Sequence, residues 1–411
     1  MLITLKSLLV PPFRPFFLGR LVSQLGSAMA PVALAFGVLN ASGHAGDLGV
    51  VLAAEIAPQL LLLLVGGAVA DRFSRRAVLI AANLGAGLTQ GTVALVLLTG
   101  HYSLPLVVGL ELGNGAMAAF ASPALRGVVP ELVPADDLQR ANSVLASTRN
   151  ATRILGPTAA GLIVVGFGGG WAIAVDALSY LAATGFLARL PRRTGRMPSM
   201  RSHLLSDIRH GWREFRSIRW VSTVALSYCV INLVNVGPWQ ILGPTLTRSR
   251  SGEAAWGMVL SVRAVGLLVM SVLMYRLVFR RPLRAGRLAG ALPALPLLAL
   301  GLGAGAPALA ACAFVGALGL TVSGVTWDTA IQQHVPREVL SRVSSYDDLL
   351  SYAAIPVGQL LVGPAAAYWG GAHVALACGI AYLAAALAPL LVRSVRQLPN
   401  AAARREQPAR V

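Results

Sequence analysis

The chain carries the string V-P-A-D-D-L-Q-R-A-N-S at residues 133–143 and the string V-P-R-E-V-L-S-R-V-S-S at residues 335–345. Val, Pro, Leu, Arg and Ser recur in register at a spacing of 202 residues, and Asp136 is matched in charge by Glu338. At the same spacing two pairs of glycines correspond, Gly156 with Gly358 and Gly161 with Gly363. The repeat predicts that the 411 residues contain two copies of one unit of about half that length.

The composition is that of a membrane protein. Hydrophobic residues make up 56% of the chain and charged residues only 12%, whereas about a quarter of the residues in a soluble domain are charged. Apolar runs of about 20 residues, which is enough to cross a bilayer, recur along the sequence. A parallel repeat in a chain this apolar is typical of a duplicated helical transporter.

The apolar segments predict twelve membrane-spanning helices, six in each half. Those of the first half are 15–39, 48–69, 77–98, 104–124, 142–165 and 171–189. Those of the second half are 219–246, 255–278, 286–303, 307–331, 343–367 and 372–392. The predicted fold class is an all-α membrane protein with two pseudo-symmetric six-helix bundles.

The predicted domains follow from these segments. They are an N-terminal bundle (1–189), an Arg-rich cytoplasmic linker (190–217), a C-terminal bundle (218–392) and a cytoplasmic tail (393–411). In the linker, Trp212 and Phe215 alternate with arginines, which favours an amphipathic helix on the inner membrane face over a solvated connection. The polar composition of the tail predicts that it is disordered.

The net charge of +18 would suggest a nucleic-acid partner in a soluble protein. Here the arginines concentrate on alternate loops between apolar segments, as the positive-inside rule predicts. We therefore expect both termini in the cytoplasm and no nucleic-acid partner. The strong preference for Arg over Lys indicates a GC-rich bacterial genome, so the expected location is the bacterial inner membrane.

The loop after the second apolar segment reads G-A-V-A-D-R-F-S-R-R at residues 67–76. It resembles the loop between helices two and three of the major facilitator superfamily, whose pattern is G-x-L-A-D-R-x-G-R-R. The residues that match and that we assign to the motif are Gly67, Asp71, Arg72, Arg75 and Arg76, together with Ala70. Val69 stands in place of Leu, and Ser74 in place of the second Gly.

The resemblance implies a conformational latch, in which Asp71 pairs with an arginine in one state and is released in another. Gly67 would allow close helix approach. The alternative is a basic loop that only sets the topology. The equivalent loop of the second half, residues 275–287, has no Asp, so the latch is predicted to be one-sided.

The fifth apolar segment contains R-N-A-T-R-I-L-G-P-T-A-A-G at residues 149–161. A Gly-Pro step bends a membrane helix because proline removes a backbone hydrogen bond. The stretch resembles the Gly-Pro motif that exporters of this superfamily carry in helix five, and it assigns Arg153, Gly156, Pro157 and Gly161 to that motif. The longer string from 123 to 161 is similar to the subfamily that exports siderophores, macrolides and other small molecules. Under the alternative interpretation, the only role of these residues is to shape helix packing.

Two carboxylic acids within apolar segments are candidates for proton coupling. Glu55 lies sixteen residues before Asp71, or about 24 Å along a helix that rises about 1.5 Å per residue. This distance places Glu55 toward the outer side of the membrane. Glu111, in the fourth segment, lies toward the same side. Ionisable groups in hydrocarbon are costly and usually face a cavity or a partner. The alternative is that both are outer-rim residues that water reaches, and we expect Asp176 to be a helix-end residue.

Polar and aromatic residues of the first and seventh segments are candidates for the substrate cavity, because such sites lie where the repeats meet near mid-membrane. They are Gln24, Asn232, Asn235 and Trp239, with Ser23 and Ser27 beside Gln24. Arg263 of the eighth segment is a further candidate, for an anionic substrate or for a carboxylate partner. Interhelical hydrogen bonding is the alternative role for the polar members.

The sequence contains no G-x-S-x-G, H-E-x-x-H or Walker motif, so no enzyme activity, catalytic residue or cofactor is predicted. No ligand spacing predicts a metal site. Together with the resemblance, the residues predict a monomeric exporter of a small, partly hydrophobic molecule by proton antiport, with substrate, protons and the bilayer as partners. Two alternatives remain open, namely an importer or flippase of lysophospholipid-type lipids and a non-transporting scaffold or sensor.

Overall fold

The computed structural model describes residues 12–42, 45–191, 204–251 and 253–400. All regular structure in these residues is helical, as the composition predicts. The α-helices, in chain order, are α1 (Phe13–Ser42), α2 (Ala45–Arg72), α3 (Arg75–Leu98), α4 (Leu104–Leu132), α5 (Leu138–Phe167), α6 (Gly169–Ala188), α7 (Leu204–Ser217), α8 (Arg219–Ser251), α9 (Glu253–Leu273), α10 (Pro282–Ala289), α11 (Ala294–Gly301), α12 (Ala306–His334), α13 (Leu340–Trp369), α14 (Gly371–Leu387) and α15 (Arg393–Arg396).

Within the described ranges, eleven helical segments are long and apolar enough to cross a membrane. They coincide with every predicted span except the fifth. That segment forms α5, a helix of 30 residues, in which Arg140, Arg149 and Arg153 interrupt the apolar run. The predicted ninth span also differs, because the segment Pro282–Gly301 is two short helices, α10 and α11, joined by a turn that ends at Pro293.

The repeat seen in the sequence recurs in local structure. Val133 and Val335 each end a long helix in an extended backbone conformation, and their N–H groups bond to the carbonyls four residues earlier, at 3.2 and 2.9 Å. Gly168 and Gly370, which are 202 residues apart, precede α6 and α14 with φ angles of 91° and 82°. Glycine adopts this backbone conformation without steric cost.

The chain divides into two compact units by its contacts. The first comprises residues 1–134, 148–211 and 336–345, and the second comprises residues 135–147, 212–335 and 346–411. In the first unit, α1 packs on α6, α2 on α4, and α3 on both α4 and α6. The same scheme is found inside the second unit, where α8 packs on α14, α9 on α12, and the broken pair α10–α11 on α12 and α14. Both units are thus built on one plan.

The predicted linker helix is present as α7, and its aromatic face is partly covered by protein, since Phe215 is buried and Trp212 is 39% exposed. The rings of Trp212 and Phe215 are stacked, with centroids 5.7 Å apart, and they lie 5.4 and 5.8 Å from the ring of Tyr346 in the same unit. Phe215 is 1% exposed, whereas Arg213 and Arg216 are exposed. The helix is therefore amphipathic, with Phe215 packed on Tyr346 and the arginines on its exposed side.

The tail prediction is wrong for residues 393–400. Helix α15 buries Val395, and Asn400 is 4% exposed. The Asn400 N–H donates to the Arg280 carbonyl at 3.1 Å, and its Nδ2 donates to the Phe279 carbonyl at 3.3 Å. Because these polar groups are satisfied and buried, the segment is fixed in spite of its polar sequence. Residues 401–411 lie outside the described residues.

Candidate functional site

A polar cavity of about 280 Å³ lies inside the first unit, among α1, α2, α3, α4 and α6. Its walls combine apolar side chains such as Phe16, Met117 and Leu125 with several polar ones. The polar lining residues are Arg20, Ser23, Ser27, Glu55, Gln59, Asn83, Asn114, Ser122 and Tyr180. Apolar walls with a few convergent polar groups are the usual make-up of a small-molecule site.

One wall of the cavity is a hydrogen-bonded pair from α1 and α6. The Ser27 hydroxyl donates to the Ser23 carbonyl at 2.8 Å, and its oxygen lies within hydrogen-bonding distance of the Tyr180 hydroxyl, at 2.9 Å. Arg20 lies one helical turn before Ser23 and interacts electrostatically with Tyr180. The wall therefore presents a cation and hydroxyl groups within an otherwise apolar bundle.

The opposite wall leads to a buried carboxylate. Glu55 lines the cavity, and Asn114 Nδ2 lies 3.5 Å from Glu55 Oε1 and 3.5 Å from Glu111 Oε2. Glu111 is 0% exposed, and Gln90 Nε2 donates to its two carboxylate oxygens at 3.1 and 3.2 Å. No described residue forms an ion pair with Glu55 or Glu111. Two carboxyl groups are thus linked by one amide, without a cation.

A third buried acid, Asp176, interacts with Glu55 and Glu111, and its predicted position at a helix end is wrong. Asp176 is 1% exposed and lies two turns inside α6, not at a helix end. The Ser179 hydroxyl contacts its carboxylate at 3.5 Å, and its charge interacts with those of Glu55 and Glu111. α6 begins seven residues before Asp176, at Gly169, so the acid lies within the helix and is packed among its neighbours.

Two polar residues of α3 at this site were not predicted from the sequence. Asn83 lines the cavity, and Gln90, which is fully buried, holds Glu111. Seven residues separate them, so they lie on one face of the helix. Two amides at helical spacing in an otherwise apolar segment were the signal that could have identified them.

Asp71, the acid of the predicted latch, lies near the end of α2 and binds the start of α13. Asp71 Oδ1 accepts from the Ser341 N–H at 3.2 Å, and its Oδ2 accepts from the Arg342 N–H at 3.0 Å and from Arg342 Nε at 3.1 Å. Arg75 Nη2 lies 3.5 Å from the same carboxylate. Asp71 therefore caps a helix N-terminus, where a negative charge is favourable. All these residues belong to the first unit.

The basic residues of the loop bind backbone carbonyls. Arg75 donates to the Gly127 carbonyl at 2.8 Å and forms an ion pair with Glu131 at 2.7 Å. Arg76 donates to the Ala188 carbonyl at 2.6 Å, at the end of α6. Arg72 is the last residue of α2. A side chain at Gly67 would lie 3.1 Å from the Ser341 carbonyl, so glycine is required for α2 to approach α13 this closely.

The residues of the helix-five motif lie in different surroundings. A Cβ at Gly156 would lie 2.5 Å from the Cβ of Ala28 on α1, whereas one at Gly161 would have nothing within 4 Å. Pro157 and Arg153 are exposed on α5. Only Gly156 is therefore needed for close helix packing within the first unit.

The structure brings none of the five predicted cavity residues into the 280 Å³ cavity. Gln24 is half-buried beside the lining residues Ser23 and Ser27. The other four lie in the second unit, where Asn232 donates to the Ser351 carbonyl at 3.1 Å and Trp239 packs on Trp256 with ring centroids 4.8 Å apart. Arg263 lies over the Trp239 ring at 5.3 Å, and Asn235 is half-buried.

Membrane-crossing helices in duplicated units, with buried carboxylates beside a polar cavity, define a transporter. Solved structures of similar fold show that the chain has the major facilitator fold. A bacterial homologue of the iron transporter ferroportin in the outward-facing state matches with a TM-score of 0.74 at 19% identity, covering 92% of this chain and 99% of that chain. The proton:xylose symporter XylE matches with a TM-score of 0.64 at 16% identity, covering 90% and 94%.

The chain belongs to the transmembrane secretion effector family, whose model matches residues 4–410. It is 26% identical over 408 residues to the multidrug efflux pump Tap of Mycolicibacterium fortuitum, covering 92% of this chain and 95% of Tap. It is 24% identical over 403 residues to the enterobactin exporter EntS of Escherichia coli, covering 95% and 94%. The protein is therefore a multi-pass membrane transporter of an efflux family, and its relatives are transporters rather than enzymes.

Proposed function

We propose that the protein exports a small, partly hydrophobic molecule across the bacterial inner membrane by alternating access, in exchange for protons. The observation that carries the proposal is the connection from the cavity to a buried acid, Glu55–Asn114–Glu111, which no described cation neutralises. A carboxylate kept in a low-dielectric interior beside a second carboxylate is costly, and one proton removes that cost. Glu55 and Glu111 are thus the proposed proton carriers.

The lining of the cavity supports the substrate class. Its volume suits a small molecule or part of a larger one, and its walls alternate apolar side chains with hydroxyl and amide groups. The names of the relatives Tap and EntS indicate multidrug efflux and enterobactin export. Arg20 and Glu55 carry opposite charges on separate helices, so the same cavity offers contacts to a polar end of either charge.

The contacts of Asp71 support a conformational latch. Helix α13 belongs to the first unit only through its first residues, 340–345, and these are the residues that the Asp71 carboxylate binds. A contact of this kind can form in one access state and break in another. Under the proposal, Asp71 with Arg75 and Arg342 stabilises one of the two states, and Gly67 allows the close approach.

The proposed topology has twelve spans in two six-helix bundles, with α5 as the span that the apolar criterion does not include. Its charged residues would then face other helices or an aqueous cavity, as intramembrane charges usually do. Both termini lie in the cytoplasm under the proposal, because the arginine-rich loops alternate with nearly uncharged ones.

Transport in proteoliposomes tests the proposal. Purified protein is reconstituted, the vesicle interior is made acidic, and the uptake of lipophilic fluorescent dyes and of a catecholate is measured beside the internal pH. Antiport predicts that a transported compound accumulates only with the acidic interior and that its entry makes the interior more alkaline. Accumulation of the compound that does not depend on the pH gradient would contradict proton coupling.

Two further readouts separate the alternatives. Movement of a labelled lysophospholipid between the leaflets, without uptake of any soluble compound, would favour the flippase. The absence of both activities in protein that retains its helical content and unfolds cooperatively would favour a scaffold or sensor.

A further inference from the structure

An arginine-lined groove lies on the second unit, at the turn between α9 and α10. Its volume is about 450 Å³, and it is lined by Phe279, Arg280, Arg281, Arg284, Ala285 and Leu288. We call these six residues the arginine groove. They are separate from the cavity and from the α2–α3 loop described above.

Among the described residues, the charges of the groove have no counter-charge. Arg280, Arg281 and Arg284 are exposed, and their guanidinium groups make no hydrogen bond or ion pair to any residue in the described ranges. Like charges at such close spacing repel, and a bound anion removes the repulsion. Helix α10 begins at Pro282, next in the chain to the lining residue Arg281, so the positive end of its dipole adds to the basic character of this turn.

The backbone below these arginines is fixed. Asn400 donates to the carbonyls of Phe279 and Arg280, and Gln139 Nε2 donates to the carbonyls of Met274 and Leu277. Asn400 and Gln139 are both buried. The turn is therefore held by donors from two other segments of the same unit, so the arginines project from an ordered base.

The apolar part of the groove identifies the ligand. Leu288 is 50% exposed and Val278, next to the groove, is 71% exposed. The turn lies between the membrane-crossing segments Ala255–Leu273 and Pro282–Gly301, which places it at a membrane surface. A free inorganic anion would gain nothing from apolar walls, whereas an acyl chain buries them.

We infer that the arginine groove binds the headgroup of an anionic phospholipid, with the phosphate on the three arginines and an acyl chain along Leu288. Planar guanidinium groups match phosphate oxygens in bidentate fashion, and basic pockets at the cytoplasmic side of membrane proteins take anionic headgroups. Arg276 of the same turn and Arg393 and Arg396 of α15 are exposed in the same unit and extend its basic surface.

The test uses the full-length protein in a neutral detergent. Its thermal unfolding midpoint is measured against phosphatidylglycerol, against phosphatidylcholine with the same acyl chains, and against inorganic phosphate. We expect phosphatidylglycerol to raise the midpoint in a saturable way, and phosphatidylcholine and phosphate to leave it nearly unchanged. The variant Arg280→Gln/Arg284→Gln should need about tenfold more phosphatidylglycerol or more.

The matched control is Arg404→Gln/Arg405→Gln, which removes the same charge from residues 401–411, and it should respond like the wild type. If the groove variant does not fold, Leu288→Gln replaces it, since this change keeps every charge and removes the apolar wall. Equal responses of the groove variant and the control would overturn the inference. So would a midpoint shift that phosphate alone reproduces, because the site would then take free anions.

Discussion

The carboxylate of Asp71 accepts two hydrogen bonds from one residue, the backbone N–H of Arg342 at 3.0 Å and its Nε at 3.1 Å. The Asp71 side chain is 1% exposed, so water screens these contacts little. One carboxylate therefore neutralises both the N-terminus of α13 and the arginine in its first turn. Hydrogen bonds to charged groups contribute about 1.5–3 kcal/mol each, which is enough to bias a conformational equilibrium.

The first prediction concerns the charge of Asp71. Asp71→Asn keeps the size and one acceptor oxygen but removes the charge that the start of α13 and Arg342 share. We expect the transport rate to fall about tenfold or more, because a loss of about 1.4 kcal/mol changes a two-state equilibrium about tenfold. The rate is measured in proteoliposomes, with the amount of folded protein checked by size-exclusion chromatography.

Asp137→Asn is the matched control for that change. Asp137 pairs with Arg140 at 2.9 Å, but the two side chains are 33% and 46% exposed, and exposed pairs contribute little. The control should transport at the wild-type rate. An active Asp71→Asn protein would show that the loop sets topology alone.

The second prediction separates the two glycines of the helix-five motif. Gly156→Ala places a methyl group 2.5 Å from the Cβ of Ala28, whereas Gly161→Ala places one in open space. Overpacking costs about 1–3 kcal/mol, so Gly156→Ala should lower the thermal unfolding midpoint and Gly161→Ala should not. Identical midpoints for the two variants would mean that α1 and α5 do not pack as described.

Much of the fold was predictable because the bilayer imposes a length and a polarity on each helix. The runs that became α1, α3 and α12 matched their predicted spans closely, since few polar residues interrupt them. The failures have a common physical cause, which is that the environment of a polar residue depends on its neighbours in space. Asp176 is buried among other helices, and Asn400 is fixed by carbonyl groups far from it in sequence.

The candidate site was predicted less well. Glu55 and Asp71 were identified because an acid in an apolar helix, or in a known motif, is conspicuous. Asn83 and Gln90 are neutral, and although their spacing places them on one face of α3, it does not show that Gln90 meets the buried Glu111 of α4. Trp239 packs on Trp256, and its role in a substrate cavity stays a prediction. Aromatic side chains serve cores and cavities equally well, and sequence alone does not distinguish the two.

The third prediction tests whether the cavity binds substrate. Asn83→Leu replaces an amide of the cavity wall with an apolar side chain of similar size. We expect a change in KM of about threefold to tenfold for transported compounds with a polar end, and a smaller change for purely apolar ones, because a lost hydrogen bond costs about 0.5–1.5 kcal/mol. Concentration series with a panel of dyes measure it.

Thr92→Val is the control on the same helix. Thr92 is exposed, and its hydroxyl bonds only to the Leu88 carbonyl of α3. It should leave every KM unchanged. If both variants keep the wild-type KM for all compounds, the cavity of the first unit does not contact the substrate.

The last prediction concerns the carboxyl pair behind the cavity. Glu111→Gln is nearly isosteric and cannot exchange a proton, so coupling through this residue predicts that uptake driven by a pH gradient falls to background. Exchange of labelled for unlabelled compound at equal pH needs no net proton movement and should continue.

Glu55→Gln should lose the same response and should also change KM, because Glu55 lines the cavity and Glu111 does not. Glu338→Gln, an exposed acid, serves as the control with wild-type behaviour in both assays. If Glu111→Gln and Glu55→Gln both retain gradient-driven uptake, the proton is carried elsewhere, and Asp176, buried beside them, becomes the next residue to substitute.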